Sequence, residues 1–578
     1  MKTQLRKTIV STLQTYSLAV MISLTTPGTA FAQPVPTTFT RITTGAIATN
    51  PGSSETAAWG DYNNDGWEDL FVTSDAGGVD YLYKNNGDGT FTSTLAGELV
   101  NDEKDGSAAI WGDYDNDGSL DLFITVFDWP TPRPNLLYRN LGNGTFTKVT
   151  AGRIVTDTYA GSFSSVWGDY DNDGHIDLFA ARVGDALKDA LYQNDGAGGF
   201  NRILTGPVVN DSAASCGAAW GDYNNDGKLD LFVTGGGTLG SSITGNNLLY
   251  RNDGNGTFVK ITTGAIVSDG GPSEGCAWGD YDNDGFLDLF VANGGESDVP
   301  ARKNFLYRNT GTGAFTRVTA GAIATDTGHF VACSWGDYDN DGFLDVFVSR
   351  YRGGNNALYR NNGDGAFEKV TAGSIVNDRG ASTACVWGDY DNDGFLDLFV
   401  TNFGSGQTNF LYHNDGNSNQ WLKIKCVGGP SNRAAIGAKV RVQAQNGLGA
   451  LTWQMREISG GNGIGQNSLI VHFGLGNATN AQTVRIEWPS GIVQTMTNLT
   501  AKQFLTVTEP PLLQAGLTNG SFQLLLTDSI GSSSGIEAST DLAGWTSLGN
   551  VTNTTRTVRF ADPAAINENY RFYRAVSR

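Results

Sequence analysis

One short stretch occurs seven times in this sequence and limits the folds that the chain can adopt. One copy runs from Trp278 to Val291 and reads WGDYDNDGFLDLFV. The other copies, which lie 52 to 58 residues apart, begin at Trp59, Trp111, Trp167, Trp220, Trp335 and Trp387. A repeat of this length accommodates four short strands, which is the size of one blade of a β-propeller.

Each copy contains a nine-residue loop, which we number from the acidic residue after the Trp-Gly pair. In loop 5, oxygen-bearing side chains stand at positions 1, 3, 5 and 9 (Asp280, Asp282, Asp284 and Asp288), and Gly285 stands at position 6. Calcium takes six to eight oxygen ligands, and the backbone carbonyl at position 7 supplies one more. Without a cation, the clustered carboxylates would repel one another. The spacing therefore predicts up to seven structural calcium ions.

The predicted ligands share this spacing in all seven loops, with position 7 acting through its backbone. In chain order they are Asp61, Asn63, Asp65, Trp67, Asp69, Asp113, Asp115, Asp117, Ser119, Asp121, Asp169, Asp171, Asp173, His175, Asp177, Asp222, Asn224, Asp226, Lys228, Asp230, Asp280, Asp282, Asp284, Phe286, Asp288, Asp337, Asp339, Asp341, Phe343, Asp345, Asp389, Asp391, Asp393, Phe395 and Asp397.

The loop differs from that of an EF-hand, which requires a bidentate Glu at position 12 and a helix on either side. Position 12 is an apolar residue in every copy, namely Val72, Ile124, Ala180, Val233, Val291, Val348 or Val400. The short apolar run after position 9 is typical of a strand. Because the loop recurs seven times, whereas a catalytic site is normally unique, we interpret the calcium as structural.

Each repeat is predicted to form four strands: one that runs into the Trp, then LDLFV, LYRN and GTFxKVT. The second strand is apolar on both faces, so both faces must be covered, as they are in blades stacked around an axis. The seventh repeat lacks a fourth strand. Residues 37–47, TTFTRITTGAI, match that strand, and we expect them to complete the seventh blade and remove the exposed edges of the sheet.

The chain is predicted to have four parts. Residues 1–32 combine a basic start, a short apolar stretch and a small-residue cleavage site before Gln33, which is typical of a secretory signal. Residues 33–417 form the propeller, residues 418–509 a β-sandwich-like domain, and residues 510–578 a small β-module. No segment reaches the roughly 20 apolar residues of a transmembrane helix. We expect a secreted, cell-surface or periplasmic protein.

The composition of the chain limits the kinds of partner that it is expected to bind. The formal net charge is −21, and 26 of the 59 acidic residues are predicted loop ligands. Such a surface makes nucleic acid an unexpected partner. Cys276, Cys333 and Cys385 look like core residues, whereas Cys216 and Cys426 could pair in an oxidising compartment, although nothing in the sequence selects that pair. The sequence does not predict an oligomeric state.

The candidate ligand-binding residues lie on the face opposite the calcium loops. The connections between the second and third strands vary in length there, and they contain Trp129, Arg133, Arg302, Arg350 and Arg352. Variable loops on a rigid scaffold are common recognition sites. The alternative is that they are tolerated insertions.

Two resemblances follow from these motifs. Over residues 38–417, the seven loops, the Trp-Gly-Asp lead-in and the LYRNxGxGTF segment resemble the FG-GAP or VCBS repeats of integrin α-subunit propellers. Segments such as Ile436-Gly437-Ala438 and Trp488-Pro489-Ser490-Gly491 resemble the ASPIC/UnbV domain, and this arrangement is similar to that of the cartilage acidic protein family. The resemblance implies structural calcium and a binding role. Asn63 and Asn224, which replace Asp at position 3, are expected to weaken loops 1 and 4.

No catalytic residue is predicted. The four histidines fit structural or surface positions, and GSSSG at 531–535 is followed by no histidine. GNGIG at 461–465 opens no helix and is a weak dinucleotide signal. We expect a calcium-binding protein that binds protein or polysaccharide in adhesion. The alternative is an extracellular polysaccharide-active enzyme, such as a lyase, or a lectin on the same scaffold.

Overall fold

The computed structural model describes residues 37–75, 78–94, 97–101, 106–128, 130–159, 161–183, 188–211, 214–236, 245–294, 301–445, 451–518, 521–562, 565 and 571–577. The predicted signal segment 1–32 and Trp129 lie outside these residues. Among the described helices, none has the length and apolar character needed to span a bilayer.

The seven repeats form seven antiparallel four-stranded sheets, which are the blades of the propeller. The first strands are Ser54–Gly60, Gly106–Gly112, Ser162–Gly168, Ser215–Gly221, Ser273–Gly279, Phe330–Gly336 and Ser382–Gly388. The second strands are Asp69–Ser74, Asp121–Val126, Asp177–Arg182, Asp230–Gly235, Asp288–Asn293, Asp345–Arg350 and Asp397–Asn402. The third strands are Tyr81–Asn85, Leu136–Asn140, Ala190–Asn194, Leu248–Gly254, Phe305–Asn309, Ala357–Asn361 and Phe410–Asn414. The fourth strands are Phe91–Thr94, Phe146–Lys148, Phe200–Arg202, Thr257–Ile261, Phe315–Arg317, Phe367–Lys369 and, for blade 7, Phe39–Ile42.

The N-terminal strand closes the ring. Phe39–Ile42 pairs with the third strand of blade 7, with Phe39 opposite Asn414 and Ile42 opposite Leu411. The first strands of blades 7 and 1 also lie side by side, as do those of the other neighbouring blades. The chain is therefore all-β and forms a seven-bladed propeller, as predicted.

The closing strand is shorter than the segment 37–47 that matches the fourth-strand pattern. Gly45 adopts a φ of 83°, which ends the extended backbone, and Ala46–Thr49 then forms a single helical turn that buries Ile47. A turn of this kind follows each fourth strand, and the other six are Glu98–Asn101, Arg153–Thr156, Pro207–Asn210, Ala265–Ser268, Ala322–Thr325 and Ser374–Asn377. The sequence pattern missed these turns because four residues are too few to show a helical period.

The Trp-Gly pair of each repeat sets the spacing between blades. A Cβ atom at Gly60 would lie 2.8 Å from Cδ1 of Trp111 in the next blade, and one at Gly388 would lie 2.9 Å from Cδ2 of Trp59. The Trp111 indole in turn donates a hydrogen bond to the carbonyl of Ala58, at 3.1 Å. Each Trp therefore packs directly on the glycine of the preceding blade, which leaves no room for a side chain there.

The Asn that ends each LYRN segment joins neighbouring blades. Asn309 Nδ2 donates to the carbonyl of Leu287 in its own blade (3.0 Å) and to that of Tyr223 in the preceding blade (2.8 Å). The equivalent residues, which make the same pair of bonds, are Asn85, Asn140, Asn194, Asn252, Asn361 and Asn414. These buried amides satisfy carbonyls that would otherwise lose hydrogen bonds on burial.

The C-terminal part forms two β-structures. The first is a sandwich of two sheets whose inner faces share one core. Its strands are Gln420–Val427, Lys439–Gln445, Leu451–Glu457, Val471–Gly476, Asn480–Glu487, Val493–Thr500 and Gln503–Thr508. The second has two three-stranded sheets, formed by Leu512–Thr518, Ser521–Thr527, Ser533–Ser539, Thr546–Thr552, Thr557–Phe560 and Phe572–Ser577. We call the first structure the sandwich domain.

Candidate metal centre and the surfaces around it

Each nine-residue loop is a tight turn held by its own aspartates. In loop 5, Asp280 accepts the backbone N–H of Asp284 on Oδ1 (3.0 Å) and that of Gly285 on Oδ2 (3.1 Å). Asn283 and Gly285 adopt left-handed φ values of 58° and 89°, which Asn and Gly tolerate best. The loop geometry is therefore encoded locally by the Asn-Asp-Gly sequence.

The position-9 aspartate connects the loop to its sheet. Asp288 accepts the backbone N–H of Asn309 on Oδ1 at 2.7 Å and that of Tyr281 on Oδ2 at 3.2 Å. Asp288 is completely buried. Two backbone N–H groups thus fix this carboxylate at the base of the loop.

In at least five of the loops, ligand atoms from separate positions converge within the part of the chain that the structure describes. At positions 1, 3 and 9, one ligand atom from each side chain lies within 4.8 Å of the others in loops 2, 3, 5 and 6; in loop 7 the group is Asp391, Asp397 and His413. These clusters could hold metal ions, and their oxygen-rich composition fits a hard cation such as calcium. The position-5 carboxylates are not members of these groups and instead accept the N–H of position 7, as Asp284 does from Phe286.

The electrostatics of the clusters fit a cation. Burial, followed by the neighbouring aspartates, raises the pKa of Asp113 to about 7 and that of Asp169 to about 8. Burial raises the pKa of Asp69 to about 8 and that of Asp230 to about 9, with nearby loop carboxylates adding to the effect. Without a compensating positive charge, these carboxylates are partly or largely protonated at neutral pH.

The position-7 side chains, whose types differ widely, turn away from the cluster. A Cβ atom at Gly311 would lie 3.0 Å from the ring of Phe286, and one at Gly196 would lie 2.7 Å from the imidazole of His175. Trp67, Lys228, Phe343 and Phe395 contact the equivalent turn between the third and fourth strands of their blades, as does Ser119. The position-7 side chain thus packs on a neighbouring turn, and the residue type can vary; Lys228 also reaches Asp226 of its own loop, at 3.5 Å.

A side chain from the third strand also reaches the loop, which sequence reasoning missed. Arg139 Nε lies 2.6 Å from Asp115, and Arg360 Nε lies 2.5 Å from Asp339. In loop 7 the corresponding residue is His413, whose Nδ1 lies 3.3 Å from Asp397. The adjacent Asp397 carboxylate raises the pKa of His413 to about 9, so that His413 carries a positive charge at neutral pH. The Arg that recurs in the LYRN segments was the sequence feature that could have predicted this contact.

The seven loops are also joined to one another. The position-4 side chain Asn283 donates from Nδ2 to the carbonyl of Gly342 in loop 6, at 2.9 Å, and Asn392 donates to the carbonyl of Gly66 in loop 1, at 3.1 Å. The remaining links, of the same kind, start from Asn64, Asn116, Asn172, Asn225 and Asn340. The loops thus form a closed ring on one face of the propeller, which we call the loop face.

The sandwich domain covers the loop face. Its contacts are made to position-1 carboxylates: Lys423 Nζ to Asp389 at 2.7 Å, Lys439 Nζ to Asp222 at 2.7 Å, Lys425 Nζ to Asp61 at 3.4 Å, and Gly474 N to Asp337 at 3.0 Å. Each of these bonds uses Oδ2 of the aspartate. Oδ1 remains directed at the loop backbone, as in loop 5.

A loop of the sandwich domain, residues 459–467, fills the centre of the propeller. Gln466 exchanges two hydrogen bonds with the backbone of Trp111, at 2.6 and 2.9 Å, and its carbonyl accepts the N–H of Trp59 at 3.2 Å. A Cβ atom at Gly460 would lie 2.2 Å from the carbonyl oxygen of Trp167. The GNGIG segment is therefore part of a plug in the propeller channel, and its glycines permit the close approach.

The opposite face is built differently. Short two-residue strands there join neighbouring blades, as Arg302–Lys303 does by pairing with Thr327–Gly328. Arg302 and Lys303 are exposed and line a cavity of about 550 Å³. Arg317 lines the same cavity, where it stacks 4.2 Å above the ring of Phe305.

The other candidate ligand residues do not converge on that cavity. Arg133 lies in blade 2 and pairs with Asp128 at 2.8 Å. Arg350 and the exposed Arg352 lie in blade 6. The candidates therefore occupy three separate blades of the opposite face.

All five cysteines are buried and carry reduced thiols, so that Cys216 and Cys426 do not form a disulfide. Cys276, Cys333 and Cys385 are completely buried in the blade cores, and burial raises the pKa of the Cys276 thiol. These cysteines are packing residues.

The fold and the loops together define a class of protein, a seven-bladed propeller with acidic metal-type loops on one face and a sandwich domain docked on that face. A family model described as FG-GAP-like repeat matches residues 61–124, 113–180, 169–233, 238–291, 292–348 and 337–400. A second model, ASPIC and UnbV, matches residues 428–512. The chain therefore belongs to the FG-GAP-like repeat family and carries an ASPIC and UnbV domain.

Two curated relatives match the chain over similar lengths and at similar identity. The chain is 29% identical over 369 residues to cartilage acidic protein 1 of Mus musculus, covering 59% of this chain and 54% of the relative. It is 27% identical over 370 residues to the Homo sapiens protein of that name, covering 60% and 52%. The chain spans about half the length of these relatives.

The solved structures that match the chain are more distant. An Agrocybe aegerita lectin that recognises non-reducing terminal N-acetylglucosamine is 16% identical, with a TM-score of 0.39, and the match covers 61% of this chain and 86% of the lectin. An ancestral GH74 enzyme is 12% identical, with a TM-score of 0.39, and the match covers 86% and 68%. Similarity at this level assigns no function.

Proposed function

We propose that this chain is an exported, calcium-stabilised propeller that binds a protein or polysaccharide outside the cytoplasm through the opposite face. The observation that carries the proposal is that the sandwich domain contacts the loop face at four position-1 carboxylates and fills the channel. The loop face is thus used within the chain. The opposite face retains exposed cations such as Arg302, Lys303 and Arg352.

The loops would hold calcium through positions 1, 3, 5 and 9 and the carbonyl of position 7. Calcium would supply positive charge and a rigid link between residues that are already hydrogen-bonded to the sheets. In the chain itself, the position-1 aspartate fixes the turn and the position-9 aspartate anchors it to the third strand. This arrangement would stabilise the fold.

The cavity beside Arg302 is the strongest candidate for ligand contact. Two exposed cations stand at its edge, and Arg317 is held in place by Asp269 at 3.1 Å. A rigid, positively charged cavity favours acidic groups, such as those of an acidic polysaccharide or an acidic protein segment.

A binding screen tests this proposal. The full chain would be applied to an array of neutral and acidic polysaccharides and to extracellular proteins, in calcium. We expect binding that the double substitution Arg302→Ala and Lys303→Ala weakens at least tenfold, because two charge-assisted contacts are lost. Arg485→Ala, which removes an exposed cation of the sandwich domain, is the matched control.

Three results would count against the proposal. These are no binding to any component, binding that depends on Arg485 but not on Arg302 and Lys303, or an unfolded double variant under conditions where the control is folded. Cleavage of a bound polysaccharide would favour the alternative of a polysaccharide-active enzyme.

A further inference from the structure

A cavity of about 1050 Å³ lies between the sandwich domain and the loop face, beside loops 4 and 5. Loop 4 contributes Asp226 and Lys228 to its wall, and loop 5 contributes Asp284 and Gly285. We call this cavity the interdomain cleft. Ligand-binding sites typically have volumes of roughly 300 to 1,000 Å³ and often lie between domains, so the cleft has the size and the position of such a site.

Two segments whose sequences resemble the ASPIC/UnbV domain meet in the interdomain cleft. Residues 436–437 line it beside loop 4, and residues 488–491 line it as well. The second segment is a rigid turn, because the N–H of Trp488 donates to the carbonyl of Ile492 at 2.9 Å and the N–H of Gly491 donates to that of Trp488 at 2.8 Å. A rigid wall reduces the ordering cost of ligand binding.

Residues that line the cleft also hold the two domains together. Lys439 Nζ of the sandwich domain lies 2.7 Å from Asp222 of loop 4. Arg441 Nη1, on the same strand, donates to the carbonyl of Gly285 in loop 5, at 3.4 Å. The cleft is therefore a fixed feature of the docked domains, and a ligand in it contacts both of them.

The charged side chains that line the cleft are paired with opposite charges. Arg441 and Arg485 both bind Oε1 of Glu487, at 3.1 and 3.2 Å, and Lys228 lies 3.5 Å from Asp226. A charged ligand would have to compete with these pairs, whereas a neutral ligand with many hydroxyl groups can add hydrogen bonds to them. The remaining pairs are Lys439 with Asp222, at 2.7 Å, and Asp284 with Arg308, at 3.4 Å.

Apolar side chains stand beside these ion pairs. Trp453 is 37% exposed and Val493 is 51% exposed, and both line the cleft. An indole ring offers a flat apolar face with a polar N–H at its edge. A sugar ring matches this combination, because its C–H groups form apolar faces and its hydroxyl groups lie around the edge.

We infer that the interdomain cleft is a second ligand site, which takes a neutral polysaccharide between the sandwich domain and loops 4 and 5. Trp453 stacks on a sugar ring, while Glu487 accepts and Lys228 donates hydrogen bonds to hydroxyl groups. This site is separate from the proposed site on the opposite face, where the exposed Arg302 and Lys303 favour acidic groups. The two sites therefore differ in the charge of the ligand that each takes.

Calorimetry of the full chain with soluble fragments of neutral glucan, mannan and xylan tests the inference. We expect at least one fragment to bind, and Trp453→Ala to weaken that binding by roughly tenfold or more, because the stacking contact is lost. Leu451→Ala is the matched control. It removes a side chain on the same strand that is 48% exposed and lies outside the cleft, and the affinity should not change.

A second variant blocks the cleft without removing a contact to the fold. Val493 is exposed, so Val493→Arg should leave the melting temperature of the free protein unchanged. The longer side chain projects into the cleft and should also weaken binding of the neutral fragment by roughly tenfold or more, because it clashes with the bound sugar. The bound fragment should raise the melting temperature of the unaltered chain but not that of this variant.

The outcomes keep the two sites apart. The inference is supported if both cleft substitutions weaken binding of a neutral fragment that the double substitution of Arg302 and Lys303 leaves unchanged. It is overturned if no neutral fragment binds, if neither cleft substitution alters the binding, or if only a peptide competes for the cleft. Binding of acidic ligands that does not depend on Arg302 and Lys303 would instead count against the proposed function.

Discussion

The loop face and the opposite face of the propeller come from the same seven repeats, yet they differ in how they are held. On the loop face, the nine-residue loops form a closed ring of Asn-to-carbonyl bonds, and the sandwich domain covers them. On the opposite face, connections of varied length meet in two-residue strand pairs and leave arginines exposed. The chain thus concentrates its stabilising interactions on one face and its variability on the other.

This difference separates two kinds of residue. Substitutions on the loop face, or where the N-terminal strand closes the ring, should lower the stability of the protein, because they break buried bonds between elements far apart in sequence. Changes on the opposite face should alter ligand binding and leave unfolding nearly unchanged.

The largest effect is expected for loss of the closing strand. Deletion of residues 37–42 removes the pairing of Phe39–Ile42 with blade 7 and exposes the edge of Phe410–Asn414. Phe39 also contacts the rings of Tyr338 and Trp387. We expect the free energy of unfolding to fall by more than about 3 kcal/mol, measured by chemical denaturation. An unchanged midpoint would show that the ring does not depend on this strand.

The plug should have the next largest effect. Gln466→Ala leaves the buried N–H and carbonyl of Trp111 without their partners and should cost about 1 to 3 kcal/mol. The exposed Gln445, at the end of a sandwich strand, provides the control substitution Gln445→Ala. If both variants unfold at the same denaturant concentration, the hydrogen bonds of Gln466 do not contribute to the free energy of unfolding.

The acidity of the loop face predicts a pH dependence. In calcium-free protein, the pKa of Asp69 rises from 3.8 to about 8 and that of Asp113 rises to about 7, so the folded state binds protons more tightly than the unfolded state. Stability should therefore fall as the pH rises from about 4 to about 8.

Calcium requires the deprotonated carboxylates, so the gain in melting temperature on adding calcium should be greater at pH 8 than at pH 5. Thermal melts across that range, with and without calcium, measure it. A gain that is equal at the two pH values would contradict the assignment of these carboxylates to the ion sites.

The smallest effect is expected on the opposite face. Lys303→Ala removes an exposed side chain beside the cavity and should change the free energy of unfolding by no more than about 0.5 kcal/mol. The same denaturation experiment measures it. A larger loss would show that this face also stabilises the propeller.

Local patterns predicted most of the propeller. The four-strand repeat is visible because its apolar second strand and its Asp-rich loop both recur, and the N-terminal strand is visible because Thr37 to Ile42 repeats the fourth-strand pattern. The recurring Asn of LYRN was also visible, but its role as a bond to the preceding blade requires the closed ring.

The docking of the sandwich domain was not predictable from these patterns. Gly460 and Gln466 fit the channel only because the first strands of seven blades surround it. No local sequence pattern indicates that contact. Lys425 and Lys439 lie on strands of the sandwich domain, more than 200 residues from the aspartates of loops 1 and 4 that they contact. The residues next to these lysines in the sequence do not indicate that the lysines pair with loop aspartates.

The melting temperature of the full chain at neutral pH, in millimolar calcium and in excess chelator, tests the central claim most directly. Each calcium site filled at a hundredfold excess over its Kd should add about 2.7 kcal/mol to the free energy of unfolding. We therefore expect a large fall in melting temperature with chelator and full recovery when calcium is restored. Identical melting curves under the two conditions would contradict the claim that bound calcium stabilises the loop face.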